Sequence, residues 1–228
     1  MALDITPLFD LRLRTPRLEL RLPVQEELEL LREVALAGIH PPEFMPFAVA
    51  WTDDPELAGF AAYHEQLRES WSPDSWHLEL AVWTGDEPTG FQALVSEEFT
   101  RTRRVGTGSW LGSRFQRRGY GTEMRTAVLE LAFRGLDAQI ARSGAIDGNT
   151  ASLRVSERLG YRISAARRSH RAVSPCRIRI SSCGARTGCR RSQSRSPASS
   201  PAYLSSASRV RSSVVATHPE RRAISAAT

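Results

Sequence analysis

The 228 residues carry 31 basic side chains, every one of them Arg, against 25 Asp and Glu, for a net charge of +6. That total is divided: residues 1–164 hold 18 Arg against 24 acids, a net −6, while residues 165–228 hold 13 Arg and the single acid Glu220, a net +12. No apolar run approaches the roughly 18 residues needed to span a bilayer, Met1 to Asp10 has no basic stretch of the kind that opens a signal peptide, and Cys176, Cys183 and Cys189 fit no metal-ligand spacing. A membrane protein, a disulfide scaffold and a zinc module are thereby excluded. The expectation is one domain of ordinary size, 1–164, and an Arg/Ser/Ala-rich tail, 165–228, in the reducing cytoplasm.

Leu11 to Arg14 and Leu18 to Leu22 alternate apolar and polar residues, the period of half-buried strands, with Pro16 between them and Pro23 after. Leu28, Leu31, Val34, Ala35 and Leu36 then recur at helical spacing until Gly38. His40 to Trp51 holds three prolines among Phe44, Met45, Phe47 and Trp51, which predicts an apolar loop, either a lid over the core or one wall of a substrate pocket. Asp53-Asp54-Pro55-Glu56 reads as a helix start, with Leu57, Phe60, Ala61, His64, Leu67 and Trp71 continuing the helix. Trp76–Trp83 and Thr89–Ser96, joined by Gly85-Asp86-Glu87-Pro88, predict a β-hairpin whose polar face carries His77 and Glu79.

Val105 to Leu111 is a Gly-rich strand, and Glu123 to Phe133 a helical pattern striped by Met124, Ala127, Val128, Leu131 and Ala132. Between them lies Gln116-Arg117-Arg118-Gly119-Tyr120-Gly121-Thr122. Small residues before a helix N-terminus let successive amides converge where the helix dipole favours an anion, so this loop is a candidate phosphate cradle as well as a simple turn. Ala138–Ala145 predicts a short strand, Asp147-Gly148-Asn149 a turn, and Asn149 or Thr150 caps a last helix closing at Gly160-Tyr161. The order β-α-α-β-β-β-α-β-α is that of an α/β fold, a mixed central sheet flanked by helices, with ligands at the carboxyl ends of its strands.

The Gln116-x-x-Gly119-x-Gly121 signature resembles motif A of the GCN5-related N-acetyltransferases. Asn149-Thr150-Ala151-Ser152 and Leu159-Gly160-Tyr161 resemble the second half of that site. Thr15-x-Arg17-Leu18-x-Leu20-Arg21 is similar to the branch of ribosomal-protein N-terminal alanine acetyltransferases, and the likeness runs from about Leu11 to Arg162. The resemblance implies acetyl-CoA as cosubstrate, its pyrophosphate held by the amides of Arg117, Arg118, Gly119, Tyr120, Gly121 and Thr122 after Gln116. Trp110, Leu111 and Gly112 would offer backbone groups to the pantetheine arm, and Asn149 a side chain. Ser152 matches the residue that reprotonates the departing thiolate; Tyr161 is the nearest tyrosine, though its place after Gly160 favours the core.

Direct attack of an amine on a thioester requires the two reactants held together, a proton removed from the amine, and the carbonyl charge stabilised. Glu79 is the candidate base, acting through water, with His77, Glu97, Glu98 and Asp147 as weaker competitors. No metal is expected. The acceptor is a primary amine on a protein N-terminus or a small molecule, and the resemblance also admits a homodimer. The alternatives are a non-catalytic acyl-CoA binder and a nucleic-acid binder acting through its basic tail, the latter lacking interleaved aromatics, with Tyr203 alone.

In the family, two more strands follow Gly160-Tyr161 and complete the sheet. Here the text from about Ile163 becomes aperiodic, and out-of-frame translation accounts for it. Cys183-Gly184-Ala185-Arg186-Thr187-Gly188 can be encoded so that a one-base shift reads Leu-Arg-Arg-Glu-Asp-Trp, a plausible closing strand. Loss of those strands predicts an open sheet edge, weak or absent activity and aggregation.

Overall fold

The computed structural model describes residues 3–162 and the backbones of 163, 176–178 and 215–217. Its strands are β1 (Arg12–Arg14), β2 (Glu19–Arg21), β3 (Trp76–Thr84), β4 (Glu87–Ser96), β5 (Arg104–Leu111), β6 (Ile140–Ser143), β7 (Arg162–Ile163), β8 (Cys176–Ile178) and β9 (Val215–Thr217). Its helices are α1 (Gln25–Leu36), α2 (Phe60–Glu69), α3 (Phe99–Thr102), α4 (Tyr120–Glu130) and α5 (Thr150–Arg158). The strands form one mixed sheet in the order β7-β8-β6-β5-β4-β3-β2-β1-β9. All neighbours are antiparallel except β5 and β6, which run parallel. The expected α/β class and mixed sheet are thus present. The closing strands β7 and β8 are short, two and three residues, and the remainder of the predicted out-of-frame tail lies outside the described residues.

Strand alternation sorts the core onto two faces. Leu78, Leu80, Val82 and Leu94 meet Met124, Ala127 and Val128 of α4 on one face. Ala81, Trp83 and Phe91 meet Leu28, Leu31 and Ala35 of α1 and Phe60 of α2 on the other. The amphipathic stripes read from the sequence are therefore the buried ones. In α1 the side chain of Glu27 also reaches back to accept from the Val24 amide at 3.0 Å, closing the first turn.

One boundary moves. The acid-rich Asp53-Asp54-Pro55-Glu56 does not open α2. Asp54 instead accepts from the amides of Glu56 at 3.0 Å and Ala58 at 2.9 Å, forming a turn. Leu57 adopts φ 49° with its side chain buried, so the helix begins only after Gly59. The same acid preference serves a cap or a turn, and the left-handed Leu57 selects the turn. The short α3 has no counterpart in the sequence reading. The helix read as Glu123–Phe133 starts three residues earlier and ends in a π turn, Leu131–Gly135.

Candidate active site

β5 and β6 pair only from Arg104/Ile140 to Thr107/Ser143. On its other edge β5 stays paired with β4 as far as Leu111 opposite Gly90. From Gly108 onward β5 therefore leaves β6, and the sheet opens into a wedge flanked by Gly108–Leu111 and by the segment leading to α5. Gly112 ends the strand where α1 comes close: a β-carbon there would stand 2.6 Å from Val34 Cγ1. The Gln116 side chain ties the wedge to the α1 exit, donating to the carbonyls of Ile39 at 2.6 Å and Leu111 at 2.8 Å. Gln116 thus acts as a strut.

At the mouth of the wedge Arg117 (φ 60°) and Gly119 (φ 84°) are both left-handed, and Gly119 is the N-cap of α4. None of the backbone hydrogen bonds among the described residues uses the amides of Arg117 through Gly121 as donors. That is the ordinary state of a first helical turn, and here it leaves a nest of N–H groups at the positive end of the α4 dipole. The Thr122 amide, by contrast, closes onto the Gly119 carbonyl at 3.1 Å. The side chains of Arg117 and Arg118 are exposed.

A brace not recognised from the sequence holds this loop. Arg17, in the β1–β2 turn, donates to the Arg118 carbonyl at 2.9 Å, lies 4.8 Å over the Tyr120 ring and pairs with Glu123. Glu123 also accepts from Thr15 Oγ1 at 2.6 Å and from the Arg17 amide at 3.1 Å. The available signal was Thr15-x-Arg17 itself, read above only as a family mark.

Across the wedge Asn149, not Thr150, caps α5, its Oδ1 accepting from the Ser152 amide at 3.1 Å and leaving Nδ2 as donor. Ser152 is half-buried on the first turn, and its hydroxyl makes no hydrogen bond among the described residues. Tyr161 is buried, with its hydroxyl 3.3 Å from Thr107 Oγ1, and belongs to the core as expected. Beneath the wedge the buried Arg125 of α4 reaches Ser109 at 3.1 Å and Ser156 at 3.2 Å. An arginine inside the apolar stripe Met124–Val128 was the sequence signal for it.

On the α1/α2 face, cross-strand partners form rows. Glu79 stands opposite Ala93, which stands opposite Gly108; the next row is Ala81, Phe91 and Trp110. Glu79 is thus joined to the first residue of the wedge by a trough floored with small side chains. The polar strand face foreseen for Glu79 is roofed by α2: Tyr63 stands close enough for the Glu79 charge to affect it, and His64 stacks on Phe91 at 4.5 Å. Glu79 keeps some exposed surface while lying deep among protein atoms, as the floor of a concavity does, and burial lifts its pKa to about 7. Burial, aided by the Glu79 carboxylate, pushes Tyr63 to about 12. Burial, aided by the positive Arg68, holds His64 down at about 4, so it is neutral at physiological pH.

The proline-rich loop walls this trough, with Phe47 5.2 Å from Trp51 and Trp51 5.8 Å from Trp110. A β-carbon on Gly148 would stand 3.1 Å from the Phe44 ring, so the loop reaches the turn before α5. Of the weaker bases, Glu97 and Glu98 follow β4 at the end of the sheet away from the wedge, Glu98 paired with Arg101. His77 and Asp147 are exposed. Among the described residues, no three His, Cys, Asp or Glu side chains converge on a metal position, and no helix is long and apolar enough to cross a membrane.

Solved structures share this architecture. Mycobacterium smegmatis RimJ in complex with CoA-disulfide aligns with TM-score 0.59 and 16% identity over 74% of this chain and 85% of its own. A GCN5-related N-acetyltransferase from Brucella melitensis aligns with TM-score 0.59 and 20% identity over 74% and 78%. RimL, a ribosomal L7/L12 alpha-N-protein acetyltransferase, aligns with TM-score 0.54 and 14% identity over 74% and 95%. At such identities these likenesses establish the fold. The family follows from the sequence model of the acetyltransferase (GNAT) domain, which matches residues 17–162 and so takes in the brace, the amide nest, the wedge and the α5 cap; the chain belongs to the GNAT acetyltransferases.

Proposed function

We propose that this chain transfers acetyl from acetyl-CoA to a primary amine, on a protein N-terminus or a small molecule, by direct attack. The observation that carries the reading is the splay of β5 from β6 at Gly108, directly before an amide nest at the start of α4. The pyrophosphate lies on the amides of Arg117 to Gly121, while the Thr122 amide stays on the Gly119 carbonyl. The pantetheine arm runs along the free edge of Trp110, Leu111 and Gly112, with Asn149 Nδ2 donating from the far side. The CoA-disulfide held by the RimJ structure supports that choice of ligand.

The amine enters between the aromatic loop and the trough. Strands lie roughly 4.8 Å apart, so the Glu79 backbone is about 10 Å from that of Gly108, too far for direct contact with an amine in the wedge. Glu79 therefore takes the proton through water. The amine nitrogen bonds to the thioester carbon, the C–S bond breaks, and sulfur leaves with the electron pair as thiolate. Ser152 gives that thiolate a proton and recovers one from solvent. The reading implies a cytoplasmic enzyme, as a monomer or a homodimer, with no metal in its chemistry.

Isothermal titration with CoA, joined to thiol release from acetyl-CoA over a panel of amines, tests it. Binding with amine-dependent release is the expected result; absence of binding would sink it. The shortness of β7 and β8 favours one second reading, an acyl-CoA binder without turnover. Binding with no release on any amine would support that reading instead.

A further inference from the structure

Among the described residues Arg125 is the only fully buried Arg, Asp or Glu, at 3% exposure. Burying a cation is costly unless its donors are satisfied, so its position calls for a reason. Its Nη2 donates to Ser109 Oγ at 3.1 Å, on β5 two residues beyond the last pairing with β6. Its Nη1 donates to Ser156 Oγ at 3.2 Å, and that hydroxyl donates to the Ser152 carbonyl at 3.0 Å. Gln92, opposite Ser109, donates to the Gly108 carbonyl at 2.8 Å. One guanidinium thereby ties the strand edge on one side of the wedge to the helix on the other. Ser152 and Ser156 are a turn apart on one helix face, about 6 Å at 1.5 Å per residue, so the cation lies on the Ser152 face of α5, about one helical turn along from it.

We propose that Arg125 is a positioning residue for acyl transfer: it holds Ser152 against the departing sulfur and sets a positive charge beneath the thiolate. This rests on the acetyl-CoA reading above. As the C–S bond breaks, sulfur keeps the electron pair and becomes an anion, and the cation lowers the cost of that charge before the Ser152 proton arrives. Among the described residues, the other charged groups around the wedge are exposed or on the far face. Arg142 of β6, Asp147 of the turn, and Arg154, Glu157 and Arg158 of α5 face solvent, while Glu79 lies across the sheet.

The test titrates the thiol of bound CoA by its thiolate ultraviolet absorbance, using the full chain as wild type, R125K and R125Q. The wild-type thiol is expected to titrate about one unit below that in R125Q, a tenfold difference in thiolate fraction, with R125K close to wild type. S156A, which keeps the cation, should retain the lowered titration while kcat falls severalfold and the KM for acetyl-CoA holds. Equal titration in wild type and R125Q would overturn the proposal while leaving acetyl-CoA binding intact. If R125Q does not fold, S156A carries the test, and a kcat unchanged from wild type overturns the positioning role. Failure of wild type to bind CoA would remove the acetyl-CoA reading and this inference together.

Discussion

Replacing Glu79 by Gln separates a catalytic carboxylate from a structural one, because the two predict opposite effects on stability. Burial lifts the Glu79 pKa from its ordinary 4.5 to about 7. A carboxyl whose folded pKa is raised contributes stability that is fully present below pH 4.5 and lost as pH climbs through 7. At about 1.36 kcal/mol per unit the full shift corresponds to about 3 kcal/mol, and the solvent still reaching this concave floor reduces that to about 1–2 kcal/mol. Glu79→Gln removes the penalty. The variant should unfold at the same temperature as wild type near pH 4 and at a higher temperature near pH 8. Activity moves the other way: wild-type kcat/KM rises with pH through about 7 as the carboxylate forms, and the variant loses that limb and roughly 100-fold in rate, the lower end for a general base because the proton travels through water. Thermal unfolding and thiol-release kinetics over the same pH series measure both. Equal destabilisation of the variant at both pH values, with a wild-type profile flat near 7, would refute the assignment.

The other predictions concern the cofactor half of the site. Gly112→Ala forces a methyl to within 2.6 Å of Val34 Cγ1 and should cost about 1–3 kcal/mol in denaturant unfolding. Arg17→Ala removes the brace on the Arg118 carbonyl and should raise the KM for acetyl-CoA about tenfold with kcat nearly unchanged; a fall in kcat alone would contradict the brace. Asn149→Ala loses the α5 cap, about 0.5–2 kcal/mol by thermal unfolding, together with CoA affinity; Asn149→Ser should restore the stability and not the affinity. Resequencing the gene tests the tail: a one-base shift after about residue 163 should open an apolar-patterned frame, and the corrected protein should show higher thermal stability and less aggregation. No such frame would end that proposal.

Most of the fold was legible because its signals are local. The strand alternation of Leu11–Arg14 and Trp76–Ser96 and the helical stripe of Met124–Ala132 each require only neighbouring residues, and each appears with a boundary shift of a few positions. The miss at Asp53–Glu56 has a physical cause: an acid before a proline satisfies a cap and a turn equally, and the choice was made by a left-handed Leu57 buried against α1 and Phe60. No pattern of period two or 3.6 carries that information. The β5–β6 divergence carries no local signal either, since strand pairing is a long-range property.

The site divides along the same line. Its cofactor half, Gln116 to Thr122 with Asn149 and Ser152, is written in two short segments whose backbone geometry follows from glycine, a helix start and a cap, so sequence reasoning reached it. The acceptor half is assembled from residues that mean little alone. Glu79 could be placed only on the polar face of the hairpin, because alternation reports which face a side chain takes and not what covers that face; α2, starting later than expected, brings Tyr63 and His64 over it. From the sequence Arg17 is only part of a family mark, and Arg125 passes unnoticed inside a helical stripe. Their roles depend on Glu123 and Arg118 about a hundred residues from Arg17, and on Ser109 and Ser156 on either side of Arg125. In this chain the positions where charge enters a predicted apolar stripe or a tight turn, Arg125 and Arg17, are the ones that hold the wedge and its loop together. Such local exceptions are where a functional demand has overridden the pattern, which makes them the residues to test first.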